Sequence, residues 1–424
     1  MPLKEIPYWL DPQPITKSYR HKPLPAKTDV LVIGGGYTGM AAAIQLRRRG
    51  AQVTVVDKEG MGWGASSRNG GMVLTGLKEP VEFLVKKFGR EKGERFFRAS
   101  VEAIDYVEKL VEEGEMDCQF QRYGHLVAAA KPGHYDSMKR NHEFLARELN
   151  YETTLVPPEE MASEIGSDYY HGGLVDPHSA GFHPARYMAG LVRLADDRGA
   201  DLHDGTAATR IEPVGAQFLV VTNRGQVKAD QVLVATNGYT TGLTPWLQRR
   251  IIPIGSYIIT TEELPPDLAR QLIPKGRMVY DTKNFLFYFR LSPDGKRLLF
   301  GGRAKFTSAT LPESAQIMHR SMLAVYPQLA HCRLEYAWMG YLGFTFDRFP
   351  HIGQHDGLFY ALGYCGHGAA LATYLGTKAA DMILGLGEPT ILSENKFQTM
   401  PLYTGRPWFL PLAQVYFQFQ DWIG

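Results

Sequence analysis

A glycine-rich turn between an apolar strand and a helix constrains this chain more than any other feature. Residues 30–33 are apolar and mostly β-branched, and they run directly into the glycines at 34, 36 and 39. An alanine-rich segment of helical character follows. After it comes a second apolar strand, 53–56, and the acid Asp57 stands directly behind that strand. Strand, glycine turn, helix, strand and acid within about thirty residues form the pattern that holds a dinucleotide by its pyrophosphate and ribose. The residues expected to contact that ligand are Gly34, Gly36, Tyr37, Thr38, Gly39, Asp57 and Lys58.

Composition limits the class of protein and its partners. With 424 residues the chain exceeds one ordinary core, so two intertwined domains are expected. The net charge is +2 and the cationic residues are interspersed with acids, which disfavours nucleic acid as a partner. Three widely spaced cysteines indicate neither a disulfide framework nor a metal site. No signal-peptide pattern or spanning run occurs, so we expect a cytoplasmic protein without firm membrane contact.

The order of the segments predicts an α/β fold with a central parallel sheet and an inserted second sheet. From 251 to 345, strand follows strand with alternating aromatic residues, which is typical of a mixed or antiparallel sheet. The expected parts are a proline-rich extended arm, 1–27; a discontinuous dinucleotide-binding domain, 28–80, 150–250 and 346–395; a substrate domain, 81–149 and 251–345; and an apolar C-terminal tail, 396–424. We expect the tail to pack on the protein or on a second copy, so a homo-oligomer is possible.

Three further segments offer backbone amides and small residues suited to a large cofactor. A glycine- and polar-rich loop follows the dinucleotide pattern, an Ala-Thr-Asn stretch follows a later strand, and a glycine turn opens the last long helical segment. Amides at such turns bind phosphate and stabilise negative charge. The candidate residues in the first loop are Gly64, Ala65, Ser66, Ser67, Arg68, Asn69, Gly70 and Gly71. Those in the other two are Ala235, Thr236 and Asn237, and Gly363, Gly366, His367, Gly368, Ala369 and Ala370.

The order of these motifs resembles that of FAD-dependent amine oxidoreductases of the D-amino-acid oxidase/glycine oxidase superfamily. The resemblance extends over nearly the whole chain and is closest to gamma-glutamylputrescine oxidase-like proteins, which share the Tyr8-Trp9 arm and the strand 298–303. It implies that FAD is the cofactor. No cysteine stands near Gly340 or Tyr341, where related enzymes attach FAD covalently, so we expect non-covalent FAD.

The resemblance also implies where the reaction occurs. The segment with Trp338 and Tyr341 is expected to pass close to the reacting ring, and His367 is a candidate base, although the backbone of its loop is the alternative contributor. Aromatic walls can hold an amine, and an arginine can bind a carboxylate. The candidate substrate-binding residues are Tyr257, Asp281, Asn284, Phe287, Tyr288, Arg290 and Arg303.

The sequence therefore predicts an enzyme that oxidises an amine, an amino acid or a gamma-glutamyl amine. A hydride would pass to the flavin, the imine would hydrolyse to a carbonyl compound and an amine, and oxygen or another acceptor would take the electrons. Two alternatives remain at this point. One is a nicotinamide-dependent dehydrogenase with the same glycine turn, and the other is a flavin-bearing RNA-modification protein, for which the basic surface is lacking.

Overall fold

The computed structural model describes residues 3–15, 17–303 and 310–423. In chain order its strands are β1 (Lys27–Ile33), β2 (Val53–Val56), β3 (Met72–Val73), β4 (His125–Ala128), β5 (Thr154–Val156), β6 (Gly173–Asp176), β7 (Ala180–Gly181), β8 (Asp201–His203), β9 (Ala208–Val214), β10 (Gln217–Thr222), β11 (Gly225–Val234), β12 (Ile252–Thr261), β13 (Met278–Asp281), β14 (Tyr288–Leu291), β15 (Leu298–Gly302), β16 (Leu334–Phe344), β17 (His351–His355) and β18 (Leu358–Leu362). Its helices are α1 (Tyr37–Arg48), α2 (Val81–Phe88), α3 (Arg90–Glu113), α4 (Pro132–Leu149), α5 (Pro184–Asp197), α6 (Pro245–Gln248), α7 (Pro266–Leu272), α8 (Leu311–Val325), α9 (Gly368–Ile383) and α10 (Leu410–Ile423).

The first sheet is largely parallel, in the order β17-β18-β11-β1-β2-β8. Strand β1 pairs in parallel with both β2 and β11, while β17 and the β9–β10 extension add antiparallel pairs. Val30 and Val32 face the helical side of this sheet, whereas Leu31 and Ile33 pack towards the β9–β10 extension. Because both faces of β1 are covered, the last four residues of the strand, 30–33, are all apolar.

The second sheet follows the order β16-β12-β15-β14-β13-β4-β6-β5. Its pairs are antiparallel except for β4 with β13. Helix α8 packs its apolar side, including Met318 and Met322, on one face of this sheet. The expected α/β class, with a parallel sheet and a second mixed sheet, is confirmed.

Sheet membership differs from the expected domain ranges in two places. Strands β5 and β6 fall in the range 150–250 but pair in the second sheet. Helix α3 falls in the range 81–149, yet Phe96, Ile104 and Val107 belong to the core of the first sheet, where α3 contacts α9. The reason is physical: apolar periodicity shows which face of an element is buried but not which sheet buries it.

The two terminal segments are attached to the body of the protein. In the arm, Lys4 forms a backbone bridge with Tyr336 of β16, and Trp9 is fully buried. At the other end, Asp421 of α10 accepts hydrogen bonds from the backbone N–H groups of Asn284 and Phe285. Among the described residues, none of the helices has the length and apolar character needed to span a membrane.

Candidate functional site

One cavity of about 390 Å³ brings most of the predicted segments together. Its walls come from the β1–α1 turn, the loop after β2, the middle of β12, the start of β14, the ends of β15 and β16, and the first residues of α9. A volume of this size suits a small-molecule or cofactor site. The cavity lies where the carboxyl ends of β1, β2 and β11 meet the second sheet, which is the usual ligand position in open α/β sheets.

The glycine turn is shaped by close backbone approaches. Gly34 has a φ of +110°, and a Cβ there would lie 2.7 Å from the carbonyl oxygen of Ala235. A Cβ on Gly36 would lie 2.8 Å from Oγ of Ser66, which accepts a hydrogen bond from the Tyr37 N–H at 3.0 Å. Gly39 does not line the cavity; its Cβ would lie 1.9 Å from the Gly34 carbonyl oxygen, so this glycine serves helix–strand packing instead.

Asp57 fixes the backbone around the end of β2. Its two carboxylate oxygens accept hydrogen bonds from the N–H groups of Gly35 and Glu59, each at 2.8 Å. Burial raises the pKa of Asp57, and these two donors oppose the rise. The carboxylate lines the cavity together with Lys58 and Glu59, as a ribose-binding acid would.

The loop 62–71, which we call the cofactor loop, is braced from inside. The Asn69 side chain donates to the carbonyls of Ala65 and Ser66 and accepts from the N–H of Gly71 at 2.9 Å. The residues of this loop that line the cavity are Gly62, Trp63, Gly64, Ala65, Ser66, Arg68, Asn69 and Gly70. The predicted contacts Ser67 and Gly71 are absent from the lining, because Ser67 is buried behind it and Gly71 lies against the Phe182 carbonyl.

Three side chains hold the carbonyls of the same loop from outside. Nε1 of Trp338 donates to the Arg68 oxygen at 2.8 Å, and Nε1 of Trp9 donates to the Asn69 oxygen at 2.8 Å. Nη1 of Arg290 donates to the Gly71 oxygen at 2.6 Å. Hydrogen bonds within the protein therefore hold the loop on both sides.

The Ala-Thr-Asn stretch and the last glycine turn meet through one side chain. Asn237, at a φ of +40°, accepts a hydrogen bond from the Gly363 N–H at 2.9 Å. Ala235, Thr236 and Asn237 all line the cavity, whereas Gly363 lies beneath it, where its Cβ would meet Thr345. This bond joins the ends of β11 and β18, which are parallel neighbours.

The N-terminus of α9 opens into the cavity. Gly366, His367, Gly368 and Ala369 line it, and Ala370 is buried in the core behind. No side chain caps this helix end. His367 Nδ1 is buried, and no described residue is its hydrogen-bond partner. Burial, helped by the charge of Lys78, lowers the pKa of His367 to about 3, so its imidazole is neutral at physiological pH.

On the second sheet, the lining combines aromatic rings and cations. Tyr341 and Tyr288 line the cavity, and the hydroxyl of Tyr288 hydrogen-bonds Oγ of Ser256 at 2.9 Å. Arg303 lines it too, and burial lowers its pKa to about 10. Lys78, which the sequence did not indicate, lines the same cavity; burial and the Arg303 charge lower its pKa to about 8.

Several predicted substrate and catalytic residues do not reach the cavity. Trp338 and Tyr257 are buried in apolar clusters, and Phe287 packs against the core of the second sheet. Asp281 is paired with Lys283 at 3.0 Å, and the Asn284 side chain donates to Asp421 at 2.9 Å. Arg290 donates through Nε and Nη1 to three carbonyl oxygens and does not line the cavity, so it is not placed to bind a substrate carboxylate.

The strand period explains part of this outcome. Ser256 and Tyr257 are neighbours on β12, so they face opposite sides of the sheet, and Ser256 is the one in the cavity. Sequence reasoning also missed lining residues outside the strands: Glu59, Trp63, Tyr239, Leu286, Tyr364 and Cys365. Trp63 and Tyr239 stand inside or beside the predicted motifs, and extending each motif by its aromatic neighbour would have found them.

Within the described part of the chain, no group of His, Cys, Asp and Glu side chains is arranged to hold a metal ion. Cys118, Cys332 and Cys365 are free thiols.

The chain is similar to proteins of known or inferred activity. It is 36% identical over 385 residues to a probable oxidoreductase OrdL of Rhizobium meliloti, covering 89% of this chain and 88% of that protein. It is 30% identical over 404 residues to the gamma-glutamylputrescine oxidoreductase of Escherichia coli, covering 93% of each. Among solved structures, glycine oxidase from Geobacillus kaustophilus superposes with a TM-score of 0.73 at 21% identity, over 88% of this chain and 99% of that one.

The family comparison identifies the cofactor. A family model described as DAO, FAD dependent oxidoreductase, matches residues 29–382, most of the chain. The match confirms the predicted resemblance and the predicted FAD, and the nicotinamide alternative is not retained. The chain belongs to the DAO family of FAD-dependent oxidoreductases.

Proposed function

We propose that this FAD-dependent oxidoreductase oxidises an amine that carries a carboxylate, such as an amino acid or a gamma-glutamyl amine. The observation that carries the proposal is the charge of the cavity beside the second sheet, where Lys78 and Arg303 both line the wall. Among the described lining residues, the carboxylates are Asp57 and Glu59, which follow β2 on the first sheet. Two cations on one part of the cavity wall favour an anionic group on the substrate and disfavour a plain polycation.

The residues around the cavity fit FAD. The glycine turn leaves no room for side chains at Gly34 and Gly36, as a backbone that approaches a pyrophosphate requires. Asp57 is placed for ribose hydroxyls, and the cofactor loop and the uncapped start of α9 present backbone amides. Nδ1 of His367 is a buried polar atom without a hydrogen-bond partner among the described residues, and the cofactor would supply one. We propose that these groups hold FAD non-covalently, and denaturation in acid should release all of the yellow colour from the protein.

Bound FAD would supply a hydride acceptor for the carbon next to the amine nitrogen, and water would hydrolyse the resulting imine to a carbonyl compound and an amine. The chain's own residues bind and orient the substrate. Lys78 and Arg303 attract the carboxylate, while Tyr288 and Tyr341 give apolar walls that exclude water from the amine. Neutral His367 contributes a hydrogen bond rather than a charge.

Gamma-glutamylputrescine is one substrate to test, because the Escherichia coli relative is named for it. The holoenzyme is mixed without oxygen with pairs of amines of which one member carries a carboxylate. The pairs are gamma-glutamylputrescine and putrescine, which differ by the glutamyl group, and sarcosine and dimethylamine, which differ by the carboxylate alone. Bleaching of the flavin by the acid member of a pair only would support the proposal. Equal bleaching by both members would contradict the carboxylate requirement, and no bleaching by an extended panel would contradict amine oxidation.

The electron acceptor is tested in the same experiment. Air is admitted after reduction, and peroxide is measured alongside flavin reoxidation. Rapid reoxidation of the flavin with stoichiometric peroxide would show that the enzyme is an oxidase. Reoxidation that requires an added quinone or dye would assign a dehydrogenase.

We also propose that the protein is located in the cytoplasm and that it forms a homo-oligomer. Cell fractionation and light scattering of the purified protein test these two proposals separately.

A further inference from the structure

We infer that Trp9, in the N-terminal arm, positions the cofactor loop and aims the Gly70 N–H into the cavity. The inference rests on FAD use by this family and on the proposed cofactor site, but it does not depend on the substrate. Trp9 is a positioning residue here, because it does not line the cavity itself.

The first step is the contact between the arm and the loop. Trp9 is fully buried, and its Nε1 donates to the Asn69 carbonyl oxygen at 2.8 Å. Trp338 makes the equivalent bond to the preceding carbonyl, that of Arg68, also at 2.8 Å. Two indoles from distant parts of the sequence therefore hold consecutive carbonyls of one loop.

The second step is the orientation of the Asn69–Gly70 peptide. In a trans peptide the carbonyl and the following N–H point in opposite directions. Because Trp9 holds the Asn69 oxygen, the Gly70 N–H points away from the arm. Gly70 lines the cavity, and no described residue accepts a hydrogen bond from this N–H. The bond from Trp9 thus keeps the Gly70 N–H available to donate to a ligand in the cavity.

The third step is the rigidity of the arm. Lys4 bonds to β16 through both its N–H and its carbonyl, at 2.8 and 3.0 Å, and its ammonium bonds Asp11 at 2.8 Å. The Trp9 ring packs edge-on against His183, with centroids 4.9 Å apart. These contacts hold the indole independently of its bond to the loop. The indole can therefore determine the orientation of the loop.

The test replaces Trp9 by Phe, which keeps a buried aromatic ring and removes the donor. Apoprotein of each variant is titrated with FAD, and the dissociation constant is measured from flavin fluorescence. We expect W9F to bind FAD threefold to tenfold more weakly, the effect of one lost hydrogen bond together with a loosened donor. W338F should show a loss of similar size, and W408F, at a tryptophan that is 58% exposed, should bind as the parent does.

Hydrogen exchange of the Gly70 amide provides the second readout. In the FAD complex this amide should be protected in the parent protein and should exchange faster in W9F. Unchanged FAD affinity and unchanged protection in a folded W9F would overturn the inference, even if the melting temperature fell. If W9F does not fold, benzothienylalanine at position 9 keeps the indole outline without the N–H, and the same two readouts decide.

Failure of this test is distinguishable from failure of the proposed function. FAD affinity and amide protection are measured without substrate. A protein that oxidises no amine could still show the Trp9 effect, and an active amine oxidoreductase could lack it.

Discussion

Arg290 Nη1 donates to the carbonyl oxygen of Gly71 at 2.6 Å, with the arginine only 3% exposed. The same nitrogen also donates to Phe182, and burial lowers the pKa of Arg290 to about 10. A buried guanidinium that serves backbone carbonyls supports the loop rather than a substrate.

We therefore expect R290K to reduce the free energy of unfolding by about 1–3 kcal/mol, because lysine cannot reproduce the fork of donors. Urea unfolding checks this value, with R140K on the exposed face of α4 as the matched control. A raised KM for a carboxylate substrate with unchanged stability would contradict the structural role.

Lys78 gives a prediction about substrate binding and pH. Its pKa of about 8 means that its positive charge disappears as the pH rises through 8. Binding of a carboxylate substrate should therefore weaken above pH 8 in the parent enzyme. K78M should raise KM for that substrate by about tenfold and remove this pH dependence, whereas K78R should keep the affinity at pH 9. Stopped-flow flavin reduction from pH 6 to 10 measures both effects, and an unchanged pH profile in K78M would contradict the assignment.

Raising the pH should have the opposite effect on stability: the loss of the Lys78 charge that weakens substrate binding should stabilise the folded protein. The folded pKa lies below the ordinary value of 10.5, so the folded protein binds fewer protons than the unfolded chain between pH 8 and 10.5. Stability should rise with pH across that window, and the charged form should cost the folded state up to about 3 kcal/mol at pH 7. The apoprotein of K78M should be more stable at pH 7 and should lose this rise. Denaturant unfolding at pH 7 and pH 10 tests the sign, and K86M, on the exposed side of α2, is the control.

His367 should act as a neutral group. Because its pKa is lowered to about 3, its imidazole does not change charge between pH 5 and 9. The pH dependence of kcat/KM should therefore contain no ionisation of His367. We expect H367N to keep the shape of the profile. If His367 lies beside the flavin as proposed, H367N should also shift the visible spectrum of the bound flavin, since an amide replaces the imidazole in the cavity wall. A profile whose acidic limb disappears in H367N would show that His367 acts as a base.

The C-terminal helix should influence the cavity through Asp421. This carboxylate accepts hydrogen bonds from the N–H groups of Asn284 and Phe285 at 2.8 and 3.0 Å. The next residue, Leu286, lines the cavity. D421A should free this segment and raise KM by about twofold to tenfold, with little change in FAD affinity. Steady-state kinetics and FAD titration separate the two, and D267A, at an exposed carboxylate of α7, is the control.

The glycine motifs could be predicted from the sequence because their requirements are local. Gly34 and Gly36 must leave room for neighbouring backbone and side-chain atoms, and spacing along the chain alone expresses that need. The family resemblance then supplied FAD, which the glycine turn alone leaves open. The structure places most of the predicted cofactor segments around one cavity, and their contacts with FAD remain a prediction.

The substrate side could not be predicted in the same way, because it depends on long-range pairing. Tyr288 and Arg290 share a face of β14, yet only Tyr288 reaches the cavity, while Arg290 lies under the cofactor loop. Which of the two meets the cavity depends on where the loop crosses the strand. Lys78 belongs to no motif, and only the fold brings it beside Arg303.

The arm that carries Trp9 also has a consequence for the order of assembly. Lys4 meets Tyr336 across 332 residues of sequence, so the arm is synthesised before β16 and has no docking site until β16 has been made. Contacts between residues so far apart in sequence are associated with slow folding. The arm that completes the support of the cofactor loop is synthesised well before the strand on which it docks, so tight FAD binding should be a late event in the maturation of the enzyme.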